Sequence, residues 1–103
     1  GKNDSFPISL YVPDGVTVIK RVAGIEEDQV TVINRTVFIN GQKVGVAKTH
    51  SRSGEPLTAA SDTIIPHGYF YASADHVDSF DSRYAKPGLI STSAIRGRAI
   101  LLW

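Results

Sequence analysis

Residues 30–46 read Val30-Thr31-Val32-Ile33-Asn34-Arg35-Thr36-Val37-Phe38-Ile39-Asn40-Gly41-Gln42-Lys43-Val44-Gly45-Val46. Val30–Ile33 and Val37–Asn40 are short runs rich in β-branched side chains, which suit a pleated, half-buried surface. Asn34-Arg35-Thr36 between them reads as a hairpin connection. Asn40-Gly41 is a strong signal for a tight turn that needs positive φ, and Lys43–Val46 follows as a third short strand. Strands this short, joined by turns this tight, make an antiparallel meander.

The same pattern continues outward. Upstream, Val16–Val22 is a further β-branched run, and the polar N-terminus leads into a strand through Phe6-Pro7-Ile8-Ser9-Leu10-Tyr11. Downstream, Tyr69–Ser73 is an aromatic strand and Arg98–Trp103 an apolar closing strand. Helix signals are confined to a short turn over Ser91–Ile95, with Ser91 or Ser93 as cap. Residues 47–63 form a polar loop of unusual length, the kind that is usually functional or mobile. A second loop, Asp75–Gly88, is dense in charge and hydroxyls. The expected fold class is mainly β: a small, coiled antiparallel sheet or partial barrel with little helix, in a single domain spanning residues 1–103.

Composition narrows the function. A chain of 103 residues supports one modest core. With 42% hydrophobic and 20% charged residues it is an ordinary globular sequence, not a disordered one. A formal net charge of +1 argues against a general attraction to nucleic acid or anionic membrane. The absence of cysteine excludes disulfides and thiolate metal sites. No run approaches the roughly 20 apolar residues that span a bilayer. The start at Gly1-Lys2-Asn3-Asp4, in a sequence without Met, reads as a boundary with a natural N-terminal segment missing.

Three places can carry chemistry. The first is the serine of Asn3-Asp4-Ser5-Phe6-Pro7. The second is Ile19-Lys20-Arg21-Val22. On a strand, alternation sends Lys20 and Arg21 to opposite faces. If Arg21 faces water, Lys20 sits among Val18 and Val22, where lost hydration lowers its pKa. A neutral lysine can act as a general base. The third is Ser79-Phe80-Asp81-Ser82-Arg83-Tyr84, a loop in which Asp81 and Arg83 can pair and two hydroxyls can bond to the backbone. His50, His67 and His76 lack metal-ligand spacing. Asp75, Asp78 and Asp81 lack a calcium-loop pattern. Neither a metal nor a cofactor is implied.

In this order the three segments resemble the type I signal peptidases, and most closely their conjugative-transfer (TraF-type) branch. Ser5-Phe6-Pro7-Ile8-Ser9-Leu10-Tyr11 is similar to that branch's S-x-P-x-G-L-Y motif. Ile19–Gly24 resembles the lysine box. Ile25–Val46 resembles the sequel of an acidic stretch and two strands, the second ending in Asn-Gly. Pro66–Ser73, Asp75–Tyr84 and Ala94–Trp103 resemble the P-x-G-x-Y/F-F segment, the D-x-x-x-S-x-D-S-R-Y box and the closing strand. The chain departs from the pattern at Ser9 and Ala74, where glycine is usual, and at Ala85-Lys86, where an aromatic and a glycine are common. It also departs in the short connection Val12-Pro13-Asp14-Gly15, a tight-turn sequence where the family carries a longer segment.

The resemblance implies a serine peptidase with a Ser-Lys dyad: Ser5 the nucleophile, Lys20 the general base. It implies that Ser79 hydrogen-bonds to the lysine and that Asp81 and Arg83 brace the site. Asp75 falls on the acidic half of a Gly-Asp pair, and Arg21 follows the base within its box. Asn3 and the Ser5 backbone N–H are candidate oxyanion donors. Phe6, Val18 and Ile19 are candidates for small substrate pockets, and a substrate strand is expected to add to the edge made by Val16–Val22.

Hydrolysis and aminolysis, the latter closing a subunit into a ring, both follow from an acyl-enzyme. The implied partner is an exported or membrane-inserted precursor such as a conjugative pilin. The implied setting is the extracytoplasmic, periplasmic face of a membrane, reached through an N-terminal anchor before Ser5. Two competing readings are a catalytically inactive peptide-binding domain of the same fold and a β-barrel binding module. The module would use Lys43, Lys48, Arg52, Arg96 and Arg98 as a basic patch, but balanced charge and the lack of interleaved aromatics argue against nucleic acid.

Overall fold

The computed structural model describes residues 6–11, 17–74 and 79–94, with side chains for 20–74 and 79–93. Among them the strands run in the order β1 (Phe6–Tyr11), β2 (Thr17–Gly24), β3 (Gln29–Ile33), β4 (Thr36–Ile39), β5 (Gln42–Val46), β6 (Thr63–Ile64), β7 (Tyr69–Ser73) and β8 (Ile90–Ser91). A single 3-10 turn, Thr92–Ala94, follows β8. They form two four-stranded sheets, in the orders β1-β2-β7-β8 and β5-β4-β3-β6. The mainly β fold expected from the sequence is the fold observed.

The meander at residues 30–46 forms as read, with one refinement. Asn34 and Arg35 alone make the turn, with φ of 48° and 68°, and Thr36 already pairs with Ile33. Positive φ at both central residues is the hairpin geometry whose twist matches the flanking strands. Asparagine tolerates that conformation. Arginine has no such preference, and its guanidinium is held by the carbonyls of Ala47 (3.0 Å), Lys48 (2.6 Å) and Leu57 (2.8 Å). Asn40-Gly41, with φ of 51° and 84°, makes the second turn and brings Ile39 opposite Gln42.

β2 runs to Gly24, two residues beyond its expected end, and its register with β7 shifts between Val22 and Gly24. β8 is a strand that the sequence reading did not separate from its surroundings, because two residues carry no periodicity. The Ser91–Ile95 turn is present as Thr92–Ala94, with the Ser93 N–H donating to Ser91 Oγ (3.2 Å). The turn Val12-Pro13-Asp14-Gly15 and the closing strand Arg98–Trp103 lie outside the described residues.

Side chains from both sheets share one core. Val30, Val37 and Ile39 from the meander, Ile65 after β6 and Tyr71 of β7 form one buried cluster, with Ala23, Val32, Val44 and Leu89 packed around it. Ile65 is fixed there by backbone bonds in both directions, donating to Asp28 O (2.9 Å) and accepting from the Glu27 N–H (2.8 Å). Its neighbour Ile64 is 60% exposed, against 1% for Ile65. Identical side chains at adjacent positions therefore contribute very differently. Ile65→Ala is expected to lower unfolding free energy by about 2–5 kcal/mol. Ile64→Ala should stay within about 0.5 kcal/mol of the parent. Urea titration of the two variants checks both figures.

Candidate active site

Lys20 lies on β2, opposite Ile8 of β1 in an antiparallel pair that runs from Phe6↔Val22 to Tyr11↔Thr17. Alternation places it as the sequence suggests: Arg21 is exposed, Val22 is buried, and Lys20 is half-buried on the Val22 face. Its Nζ donates to the backbone carbonyl of Phe80 at 2.5 Å. Burial is the main influence on the amine and pushes its pKa below the ordinary 10.5. The Asp81 carboxylate pulls it back up, and the Arg83 guanidinium pushes it down. Desolvation disfavours the charged form of a lysine, so the site moves it towards the neutral amine.

The carbonyl that meets Lys20 is positioned by residues 79–84, and these dock where β8 stops. β8 pairs with β7 only at Tyr69 and Phe70. At Ala72, Ser82 takes over: its N–H donates to Ala72 O (2.9 Å) and its Oγ accepts from the Ala72 N–H (2.9 Å). The same Oγ donates to Gly88 O (2.7 Å). Two residues further along the chain from Ala72, the Ala74 N–H donates to Asp81 Oδ2 (2.7 Å). The alanine that departs from the expected glycine thus supplies a backbone donor, which glycine would supply equally.

Asp81 and Arg83 pair as the sequence allows. Arg83 Nε donates to Asp81 Oδ1 (2.8 Å), and the Arg83 backbone N–H donates to the same oxygen (2.9 Å). The two residues are 1% and 6% exposed. Arg83 also donates to Ser79 O (2.7 Å) and, across to the other sheet, to Val46 O of β5 (3.2 Å). Its methylenes need the bare backbone of Gly45, where a Cβ would lie 3.0 Å from Arg83 Cδ. The guanidinium sits 5.4 Å from the centroid of the Tyr84 ring. Tyr84 in turn accepts from the Lys48 N–H through its hydroxyl (3.0 Å). Tyr71, behind this cluster, is fully buried, and its hydroxyl has no hydrogen-bond partner among the described residues. Burial, and then the charge of Asp81, push its ionisation far above the tyrosine range, so the phenol stays neutral.

Lys20, Asp81 and Arg83 are thus brought together. Ser79 is half-buried nearby, but the carbonyl that Lys20 contacts belongs to the next residue, Phe80, and the Ser79 carbonyl serves Arg83. Asn3, Ser5, Asp75, His76, Asp78, Arg96 and Arg98 lie outside the described residues. Phe6, Val18 and Ile19 are placed on paired strands, opposite Val22, Leu10 and Ser9. The substrate edge expected along Val16–Val22 is corrected in part. At Arg21 and Val22 that side of β2 is taken by Ser73 and Ala72 of β7, an apolar strand that buries its middle, so β2 is interior there and β1 is the outer strand. The roles of Ser82, Phe80 O, Gly45 and Tyr84 were not singled out from sequence. The hydroxyl-to-backbone bonding anticipated for the loop is found at Ser82.

Of the residues named for a basic patch, Lys43 and Arg52 are exposed and Lys48 is half-buried; Arg96 and Arg98 lie outside the described residues. His50 and His67 are exposed, with His67 Nδ1 3.0 Å from Glu26 Oε1. Among the described residues no group of His, Cys, Asp and Glu is arranged to hold a metal ion, and no helix is long and apolar enough to cross a membrane.

Residues 5–103 match the family model described as signal peptidase, peptidase S26. Among solved structures, the fold is similar to the crystal structure of a signal peptidase I from Enterococcus faecalis V583. The TM-score is 0.54 at 24% sequence identity, over 99% of this chain and 98% of that one. A search of curated proteins finds no match.

The buried pair dictates what its loss costs. Removing one partner leaves the other charge uncompensated in the interior, so Arg83→Met is expected to destabilise by about 3–5 kcal/mol. Ser82→Ala strands the Ala72 N–H and should cost about 1–3 kcal/mol. Calorimetric or urea unfolding of each variant gives the comparison. A loss under 1 kcal/mol at Arg83 would show that the pair does not hold the loop.

Proposed function

The chain belongs to the S26 family of signal peptidases, a family of serine peptidases, and on that premise we propose that it cleaves exported precursors by acyl transfer through Ser5 and Lys20. The observation that carries this reading is Lys20 itself. It is a half-buried amine, biased towards neutrality, on the strand that pairs with the one beginning immediately after Ser5. A strand lysine with a merely structural role buries its stem and keeps its head in water; here the head is turned to a backbone carbonyl instead.

A neutral amine keeps two N–H donors and one lone pair. One donor goes to Phe80 O, which fixes the direction of the nitrogen without adding a full counter-charge. The lone pair is then available to take the Ser5 hydroxyl proton as the oxygen attacks the scissile carbonyl. The C–N bond breaks as the ammonium returns that proton to the leaving amine, leaving an acyl-enzyme. Water or an amine then attacks the ester, giving hydrolysis or ring closure respectively. The Ser5 N–H and the Asn3 amide are the proposed donors to the developing oxyanion. Asp81 and Arg83 keep Phe80 O in place, with Ser79 beside them and Arg21 on the opposite, exposed face; Asp75 is proposed as a further supporting residue.

The proposed substrate is an exported or membrane-inserted precursor with small side chains at the cleavage point, a conjugative pilin in the TraF-type reading. Phe6, Val18 and Ile19 are the proposed pocket residues. The proposed setting is the extracytoplasmic face of a membrane, with an anchor ahead of Ser5.

The sign of the pH dependence follows from the lowered lysine pKa. The active form is the free base, so kcat/KM should be low at acid pH, rise tenfold per unit, and level off with an inflection below 10.5. Ser5→Ala and Lys20→Met should each lower kcat by about 10³-fold or more, as loss of a nucleophile or its base does in other serine peptidases. A Ser5→Ala protein with full activity, or a profile flat from neutral to alkaline pH, would remove the dyad.

A further inference from the structure

A concavity of about 580 Å³ lies between the segment 48–57 and the Phe80–Tyr84 pair, sharing Phe80 with the lysine site. Its wall is a built feature. The Ser51 N–H donates to Glu55 O (2.8 Å), the Gly54 N–H donates to Ser51 O (2.9 Å), and the Leu57 N–H donates to Thr49 O (2.8 Å). His50 and Pro56 form an antiparallel bridge. The base of the segment is held by Arg35 through Ala47, Lys48 and Leu57. A polar loop of the length that suggested mobility from sequence is therefore folded back on itself by its own hydrogen bonds.

The floor opposite is apolar. Leu57, Phe80 and Tyr84 line it, and the two rings meet edge to face at 5.8 Å. Phe80 is 51% exposed, a large aromatic kept at the surface. Arg52, which is exposed, Lys48 and Glu55 also line the cleft. Phe80 joins the two places: its carbonyl receives Lys20 and its side chain lines the cleft.

We propose that this cleft is a secondary subsite for the precursor, taking an extended peptide segment with a bulky apolar side chain on the Leu57–Phe80–Tyr84 floor and an acidic side chain next to it at Arg52. The inference rests on the peptidase reading, because continuity with the Lys20 site is what makes the occupant a stretch of the substrate. Complementary charge at the rim selects the acidic neighbour, and the aromatic floor selects the apolar residue. The cleavage point accepts small side chains, and this cleft would add discrimination at a distance from it.

The test uses fluorescein-labelled ten-residue peptides in which a Leu-Glu pair is walked along both sides of an Ala-rich cleavage sequence, with an all-Ala control. Binding is read by fluorescence anisotropy. In parallel, hydrolysis of a short N-acyl-alanine ester, too small to reach the cleft, reports Ser5 and Lys20 alone. One register should bind roughly tenfold more tightly than the control. Arg52→Glu should remove about fivefold of that gain for the Glu-bearing peptide and none for a Leu-Gln version. Leu57→Ala should remove the Leu preference. Both variants should leave ester hydrolysis at the parent rate. Equal binding in every register, or a preference that survives both substitutions, overturns the subsite. Since Arg52 is exposed, its variant keeps the test decisive even if Leu57→Ala unfolds. Peptide preference without ester turnover would sink the peptidase reading and leave the cleft a peptide site.

Discussion

A carboxylate taken out of water must be met by donors on nearly every side, and the Asp81 carboxylate is the point from which this molecule is organised. It receives the Ala74 N–H, the Arg83 N–H and the Arg83 guanidinium. Each donor fixes a different part of the chain: the end of β7, the local turn of residues 81–83, and, through the remaining guanidinium nitrogens, Ser79 and β5. An ion pair of this kind is weak evidence of net stability, since apolar residues of equal volume often do as well. What it supplies here is position. It places a backbone carbonyl, Phe80 O, over the face of β2 that carries Lys20.

The electrostatics of Lys20 follow from that placement. The pair presents both signs to the amine, with Asp81 raising its pKa and Arg83 lowering it, so their influences oppose each other and burial prevails. A lone carboxylate in the same position would leave its raising influence on the lysine unopposed. The guanidinium thus has two consequences: it steadies the loop mechanically and it offsets the field of the residue it steadies. The Tyr71 hydroxyl, which has no partner among the described residues, stays neutral because burial and the Asp81 charge both disfavour its ionised form.

Much of the fold was legible because its signals are local. Asn40-Gly41 takes positive φ at both residues, and Tyr69–Ser73 forms a strand with those bounds. Alternation around Lys20 and Arg21 also came out as read. The misses have a common cause. Residues 47–63 look like an unstructured polar stretch, yet Arg35, distant in sequence, ties their base down through three carbonyls. β2 reads as an available edge because a strand's own sequence does not say which neighbour will occupy it, and β7 occupies it at Arg21 and Val22. Ser82 reads as one hydroxyl among several, and only its docking against Ala72 makes it a substitute strand partner.

The sequence by itself determined the longer strands, the tight turns of the meander and the pairing chemistry of the Asp81–Arg83 loop, because propensity, alternation and glycine conformation act over a few residues; the two-residue strands β6 and β8 it did not. It also carried the family resemblance, since the order of motifs along the chain is a property of the sequence. Only the tertiary structure decided which atom meets Lys20, how far the lysine is desolvated, and that the long loop closes a cleft beside it. Those depend on burial and on approaches between segments dozens of positions apart, as in the Lys20–Phe80 bond at a separation of 60. Loop closure over such distances is settled by packing of the whole chain, which no local run of residues encodes.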